Sequence, residues 1–145
     1  MEAKIRVLLA KPGLDGHDKG IKLIARALME AGMEVIYLGL RQDPESIARA
    51  AAQEEPSVIG LSILSGAHVN LTSKVASQLR NVGCGEIPVV VGGTIPPDDV
   101  EVVKAAGAAA VFPIGTKFEE IVGWIQGRVS KTDKSCQRTG GVLNE

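Results

Sequence analysis

The chain has 145 residues, which is enough for one domain with a single well-filled core. Hydrophobic residues make up 45% of it and charged residues 23%, an ordinary balance for a globular protein in water. The net charge is −1, and the absence of a basic stripe with interleaved aromatic residues argues against nucleic-acid binding. No window approaches the roughly 20 apolar residues of a membrane span, and no long apolar signal segment opens the chain. We therefore expect a cytoplasmic protein that binds neither nucleic acid nor membrane.

The first half of the chain alternates short β-branched runs with segments of helical periodicity. A helix is predicted from Lys19 to Ala31, where a glycine ends it. A second helix is predicted to open with Asp43 as N-cap and Pro44 in its first turn, and to run to about Glu54. Strands are predicted at 5–10, 34–38 and 57–63. The third strand is nearly continuous in apolar character, which is typical of a central strand.

The second half continues the same alternation. His68 is predicted to open the third helix, as a solvated or capping side chain, and that helix ends near Gly83. The fourth helix is predicted between Pro97 and Gly107. The last helix is predicted to begin with a capping box formed by Thr116 and Glu119. The remaining two strands are predicted at 87–91 and 109–112.

Five β–α units with short connections predict an α/β fold with a parallel sheet covered on both faces. The likeliest arrangement is the flavodoxin-like, doubly wound five-stranded sheet with strand order 2-1-3-4-5. Its ligand crevice lies at the carboxyl ends of the strands, where strands 1 and 3 diverge. We expect the domain to span residues 1–129 and the polar segment 130–145 to be a disordered tail.

The loop after the first strand holds the most informative residues. His17 lies there, and we expect Asp15 to accept a hydrogen bond from one imidazole nitrogen while the other nitrogen faces a metal. We expect Lys11, at the strand end, to pair with Asp15 and so to extend this series of polar contacts. The loop glycines remove side chains that would block a broad planar ligand: Gly13, Gly16 and Gly20. The alternative is a surface histidine beside a weak surface ion pair.

Two further strand ends carry unusual residues. Strand alternation places Ser62 and Leu64 on one face, where they would line one slot. Gly92 and Gly93 offer bare backbone against which a flat ring can lie, although a simple turn is the common alternative. Cys84 and Cys136 do not have the spacing of metal ligands. The sequence indicates no His or Asp that would activate either thiol as a nucleophile.

These motifs, in this order, resemble the cobalamin-binding domain of adenosylcobalamin-dependent mutases. The pattern is Asp15-x-His17-x-x-Gly20, followed by Ser62-x-Leu64 and Gly92-Gly93, and the resemblance covers about residues 6–127. It is strongest to the methylmalonyl-CoA mutase group. The resemblance implies that His17 takes the lower axial position on cobalt in place of the cofactor's own base. Asp15 and Lys11 would then hold the imidazole in place on its side away from the cobalt.

The same resemblance implies further cofactor contacts around a slot that takes the displaced nucleotide tail. The implied cofactor-binding residues are Asp15, Gly16, His17, Asp18, Gly20, Ser62, Leu64, Gly66, Gly92, Gly93, Phe112, Gly115 and Thr116. The implied cofactor is adenosylcobalamin, which supplies the radical chemistry of a carbon-skeleton rearrangement. No catalytic residue is expected on this chain beyond the cobalt ligand.

The chain has no room for the TIM barrel that binds acyl-CoA in such mutases. We therefore expect the small subunit of a two-chain isomerase whose separate large subunit carries that barrel. Pro113-Ile114 replaces the Gly-Pro pair of many methylmalonyl-CoA mutases. Relatives act on methylmalonyl-, 2-hydroxyisobutyryl-, isobutyryl- or ethylmalonyl-CoA, and the choice would lie with the large subunit. The alternatives are a corrinoid carrier or cobalamin sensor, and a receiver-type signalling module, which the Ile63-Leu64-Ser65 segment disfavours.

Overall fold

A computed structural model of the chain describes residues 4–13, 19–63 and 67–132. Five parallel strands form one sheet in the order β2-β1-β3-β4-β5, and helices cover both of its faces. The predicted α/β architecture and strand order are therefore confirmed. The strands are β1 (Arg6–Ala10), β2 (Glu34–Tyr37), β3 (Val58–Ile63), β4 (Val89–Gly93) and β5 (Ala110–Pro113). The helices are α1 (Lys19–Glu30), α2 (Pro44–Glu54), α3 (His68–Asn81), α4 (Val100–Ala105) and α5 (Phe118–Thr132).

The two faces of the sheet have separate aliphatic cores because strand residues alternate in direction. On one face, α1 and α5 pack against strand residues such as Val7, Leu9 and Val90. On the other face, the core joins strand residues such as Leu8 and Ile59 to α2, α3 and α4. In the part of the chain that the structure describes, no helix is long and apolar enough to cross a membrane.

The start of α2 follows the sequence prediction. Asp43 has an extended backbone conformation and its Oδ1 accepts a hydrogen bond from the Ser46 backbone N–H at 2.7 Å. Pro44 occupies the first turn, where no backbone donor is required. The bond from Ser46 stabilises the carboxylate and lowers the pKa of Asp43 from its ordinary value.

The fourth strand is shifted from its predicted position. β4 begins at Val89, two residues later than predicted, and includes Gly92 and Gly93. Pro88 has no backbone N–H to donate, so the ladder begins after it. Gly92 and Gly93 pair with Ser62 and Ile63 of β3 on one side and with β5 on the other. The two glycines are thus part of the sheet and not only a turn that closes it.

Two helices also differ from their predicted bounds. The predicted fourth helix starts as a 3₁₀ turn at Pro97–Asp99, and α4 itself begins at Val100. Helix α5 ends at Thr132, so residues 130–132 of the predicted tail belong to the last helix. The rest of that predicted tail, 133–145, lies outside the described residues.

Thr72 provides a first testable prediction about stability. Its side chain is fully buried in α3, and its Oγ1 has no hydrogen-bond partner in the described parts of the chain. A buried polar group without a partner costs roughly 1–3 kcal/mol. We therefore expect Thr72→Val to raise the free energy of unfolding by about 1 kcal/mol, measured by urea denaturation. Thr72→Ser, which keeps the hydroxyl and loses the methyl group, should lower it, and a less stable Thr72→Val would contradict this account.

Candidate functional site

A cavity of about 340 Å³ lies between the sheet and the helices α1 and α5. Its floor is formed by strand residues of β1, β3 and β4, including Leu9, Gly60 and Val90. Ile24 and Ile125 contribute to the walls from α1 and α5. The lining is almost entirely apolar, and this size is within the range of small-molecule sites. The cavity is therefore suited to a flat, apolar part of a ligand.

The mouth of the cavity carries exposed apolar side chains. Leu23, Ile114 and Phe118 line the cavity and are also exposed, with Ile114 70% accessible. Ile114 belongs to the loop between β5 and α5, and its backbone N–H donates to the Gly93 carbonyl at 3.0 Å. This bond ties the β5 loop to the end of β4.

All seven of the described residues that were predicted to bind the cofactor meet at this cavity. Six of them are lining residues from α1, β3, β4, β5 and the β5–α5 loop: Gly20, Ser62, Gly92, Phe112, Gly115 and Thr116. Gly93 lines it as well. The structure thus brings together residues that are up to 96 positions apart in the chain (116 − 20). The remaining predicted contacts, Asp15, Gly16, His17, Asp18, Leu64 and Gly66, lie outside the described residues.

A side chain on any of the three glycines at the sheet floor would come close to neighbouring atoms, and at Gly93 it would collide with backbone. A Cβ atom on Gly60 would lie 2.6 Å from Leu9 Cδ2, and one on Gly92 would lie 3.3 Å from the Phe112 carbonyl oxygen. Gly93 has a φ of +134°, and a Cβ atom there would lie 2.0 Å from the Ile63 carbonyl oxygen. Close approach of neighbouring strands therefore accounts for Gly93, and the bare backbone it leaves at the cavity is a consequence.

Thr116 does not form the predicted capping box. Helix α5 begins at Phe118, so Thr116 is one residue too early to be its N-cap. Its hydroxyl instead donates a hydrogen bond to the Pro113 carbonyl at 2.6 Å and closes the turn between β5 and α5. This bond occupies the hydroxyl proton, so the Thr116 oxygen remains only as a hydrogen-bond acceptor.

Lys11 is fully buried, with 0% of the residue exposed. Its Nζ donates to the Ser62 carbonyl at 3.3 Å and so joins the carboxyl ends of β1 and β3. The alternative of a weak surface ion pair is wrong for Lys11, because a buried ammonium group is costly and needs polar partners within the protein. Its predicted partner Asp15 lies outside the described residues.

The described residues next to 14–18 have defined backbone contacts or helical structure. Pro12 forms a parallel bridge with Gln42, and the Gly13 N–H donates to the Gln42 carbonyl at 3.2 Å. On the other side, α1 begins at Lys19. The described residues on both sides of 14–18 therefore have defined positions, and the predicted cobalt ligand His17 lies outside the described residues.

Sequence reasoning missed a polar pair near the same edge of the sheet. His68 was expected to be solvated or to cap α3, but its side chain is only 7% exposed, and the preceding Ala67 is the N-cap. Its Nε2 lies 2.7 Å from Oδ2 of Asp99, which is 38% exposed. The prediction is wrong because the adjacency of β3 and β4 brings together residues 31 positions apart. The buried position of a titratable residue is not readable from local pattern.

Comparisons with known proteins identify the family. Residues 5–122 match the family described as "B12 binding domain". The chain is 41% identical over 129 residues to the 2-hydroxyisobutanoyl-CoA mutase small subunit of Aquincola tertiaricarbonis, covering 89% of this chain and 95% of that one. It is 42% identical over 118 residues to the pivalyl-CoA mutase small subunit of Xanthobacter autotrophicus, covering 81% and 79%.

The fold also matches a solved structure. A cobalamin-binding protein from Desulfitobacterium hafniense superimposes with a TM-score of 0.75 at 22% identity, and the match covers 86% of this chain and 58% of that one. That similarity supports the fold, whereas the family match and the sequence relatives carry the assignment. The chain belongs to the B12-binding domain family.

Proposed function

We propose that this chain is the cobalamin-binding small subunit of an adenosylcobalamin-dependent acyl-CoA mutase, an isomerase. The single observation that carries the proposal is the 41% identity to a mutase small subunit over nearly the full length of both chains. The cavity supports it, because it is apolar, open at the carboxyl edge of the sheet and lined by the predicted contacts. A corrinoid carrier for methyl transfer is not favoured, since the sequence relatives are mutase subunits.

The described residues fit a cobalamin. Its nucleotide tail ends in a flat aromatic base, and the cavity offers a flat apolar space where Gly60, Gly92 and Gly93 have no side chains. In this proposal Ser62, Phe112 and the residues around Thr116 hold the base, and His17 binds cobalt. When bound, adenosylcobalamin supplies the organic radical that starts the carbon-skeleton rearrangement.

The chain's own part is to bind and orient the cofactor. Buried Lys11 holds the ends of β1 and β3 together, which fixes the strand from which the predicted ligand loop departs. We propose that Asp15 accepts a hydrogen bond from His17 and sets its tautomer, with Lys11 behind it. The apolar walls would hold the base by packing and keep water away from it.

The reaction also requires a chain that binds the acyl-CoA. The relatives that match over most of their length are named small subunits, so we propose a separate large subunit with a TIM barrel. The acyl-CoA selectivity would lie with that subunit. Purification of the complex from the native source, followed by assay on methylmalonyl-, ethylmalonyl-, isobutyryl-, pivalyl- and 2-hydroxyisobutyryl-CoA, tests this. Rearrangement of one of them is expected, and methyl transfer without rearrangement would contradict the proposal.

A bulky residue at Ser62 tests whether the cofactor enters the cavity. Ser62 lies at the end of β3 and lines the cavity, so Ser62→Phe would fill space that the nucleotide tail needs. We expect cobalamin affinity, measured by spectral titration of the full chain, to fall about 100-fold, comparable to the loss of a well-filled pocket contact.

Ser62→Ala is the matched control, because it removes the hydroxyl and leaves the space open. Its affinity should remain within about threefold of wild type, which corresponds to less than one kcal/mol. Circular dichroism checks that both variants fold. Equal cobalamin affinity of Ser62→Phe and wild type would show that the tail binds elsewhere.

A further inference from the structure

The His68–Asp99 pair joins two segments that border the candidate site. His68 is the first residue of α3 and follows β3 after the segment 64–66. Asp99 is the last residue of the 3₁₀ turn that follows β4. The two strands are neighbours in the sheet, and Ile63 pairs with Gly93 at their ends. The pair therefore links the start of α3 to the 3₁₀ turn after β4.

The hydrogen bond between His68 and Asp99 has the geometry of a strong one. The distance between His68 Nε2 and Asp99 Oδ2 is 2.7 Å, which is short for a nitrogen–oxygen hydrogen bond and typical of one to a carboxylate. The His68 side chain is 7% exposed and the Asp99 side chain is 38% exposed, so the bond is shielded from water on the histidine side. A shielded bond to a charged group is worth more than an exposed ion pair and restricts both side chains.

Other bonds extend this link across the edge of the sheet. The Ile114 N–H donates to the Gly93 carbonyl, which ties the loop after β5 to the end of β4. Lys11 ties the end of β1 to the end of β3. The ends of β1, β3 and β4 and the loop after β5 are thus connected at the edge where the cavity opens, and the His68–Asp99 bond adds a side-chain link between the start of α3 and the turn after β4.

We infer that His68 and Asp99 are positioning residues for the cofactor: their bond fixes the 3₁₀ turn after β4 against the start of α3, in the arrangement that binds cobalamin. The inference rests on the proposed function for its ligand. The pair lies on the face of the sheet that holds α3 and α4, opposite the cavity helices, so it acts through the loops and not by contact with the base.

The test combines a measurement without cofactor and one with it. In the cofactor-free full chain, His68→Ala should speed amide hydrogen exchange at least about tenfold at the residues of 94–99 that have a backbone N–H, because a side-chain bond that holds this segment is lost. These residues are Thr94, Ile95, Asp98 and Asp99. In spectral titration, the Kd for adenosylcobalamin should rise about tenfold, as expected for a shielded bond to a charged group. His68→Gln, which retains a donor, should recover most of the affinity.

A double-mutant cycle separates the pair from a general loss of stability. Asp99→Ala should raise the Kd as much as His68→Ala, and the double variant should show no further increase. Val75→Ala is the matched control, since Val75 is fully buried in the same helix but has no part in the link. It should lower the free energy of unfolding and leave both the exchange at 94–99 and the Kd unchanged.

The outcomes distinguish the two proposals. Equal affinity of wild type and His68→Ala, or additive effects in the double variant, would reject the positioning role alone. A wild-type chain that binds no cobalamin, alone or with its large subunit, would reject the proposed function.

Discussion

Replacing His17 with alanine is expected to remove the nitrogen hyperfine splitting that a protein imidazole imposes on the EPR spectrum of bound cob(II)alamin. The reason is that, in the proposed site, this imidazole replaces the cofactor's own base below cobalt. Labelling the chain with ¹⁵N-histidine should change the splitting in wild type and have no effect in His17→Ala. Asp15→Asn should keep the splitting but weaken cobalamin binding by about 10- to 100-fold, as loss of a partner behind a metal ligand does.

The chain supplies its own control for this experiment. It has two histidines, and the other one, His68, is bonded to Asp99. His68→Gln, examined at saturating cofactor, should therefore show the wild-type splitting. A His17→Ala spectrum that matches wild type would contradict the ligand assignment, and loss of the splitting in His68→Gln would move it to His68.

Replacing Gly93 with alanine is expected to be the most destabilising single change at the site. A Cβ atom there would lie 2.0 Å from the Ile63 carbonyl oxygen, and the φ of +134° belongs to a region that only glycine adopts readily. Both strands at this point are held in the sheet, so neither backbone is free to yield. We expect a loss of more than about 4 kcal/mol in the free energy of unfolding, or failure to fold.

Gly115→Ala is the matched control for Gly93→Ala. Gly115 also has a positive φ, +98°, but nothing lies within 4 Å of the position that a Cβ atom would take. Gly115→Ala should therefore lower the free energy of unfolding only by the backbone strain, about 1–3 kcal/mol. Urea denaturation of both variants checks the difference. Similar losses for the two would show that the close approach of β4 to β3 is not as the structure describes.

The sequence was sufficient for the fold because each element carries its own signal. Asp43 and Pro44 mark the start of α2, and the apolar run of β3 marks a central strand, and both features are present. The strand order follows from the number of β–α units and their short connections. The errors are at the ends of elements. The apolar run predicts that β4 starts at residue 87, but Pro88 has no backbone N–H to donate, and the strand starts at Val89.

The candidate site was predictable only where a motif marks it. Ser62, Gly92 and Gly93 were placed at strand ends by pattern, and the structure brings all three to the cavity. The burial of Lys11 and the bond between His68 and Asp99 were not predictable, because both depend on where the strand ends and the turns after them lie in three dimensions, which the strand order alone does not give. Neither the periodicity of α3 nor the charge of Asp99 indicates that contact.

The structure of the cobalamin-loaded complex, by crystallography or electron cryomicroscopy, is the most direct test of how this chain binds its cofactor. We expect density for the nucleotide tail in the cavity between the sheet and helices α1 and α5, and the His17 imidazole bound to cobalt. A base that remains coordinated below the corrin ring, with the cavity free of the tail, would contradict the account.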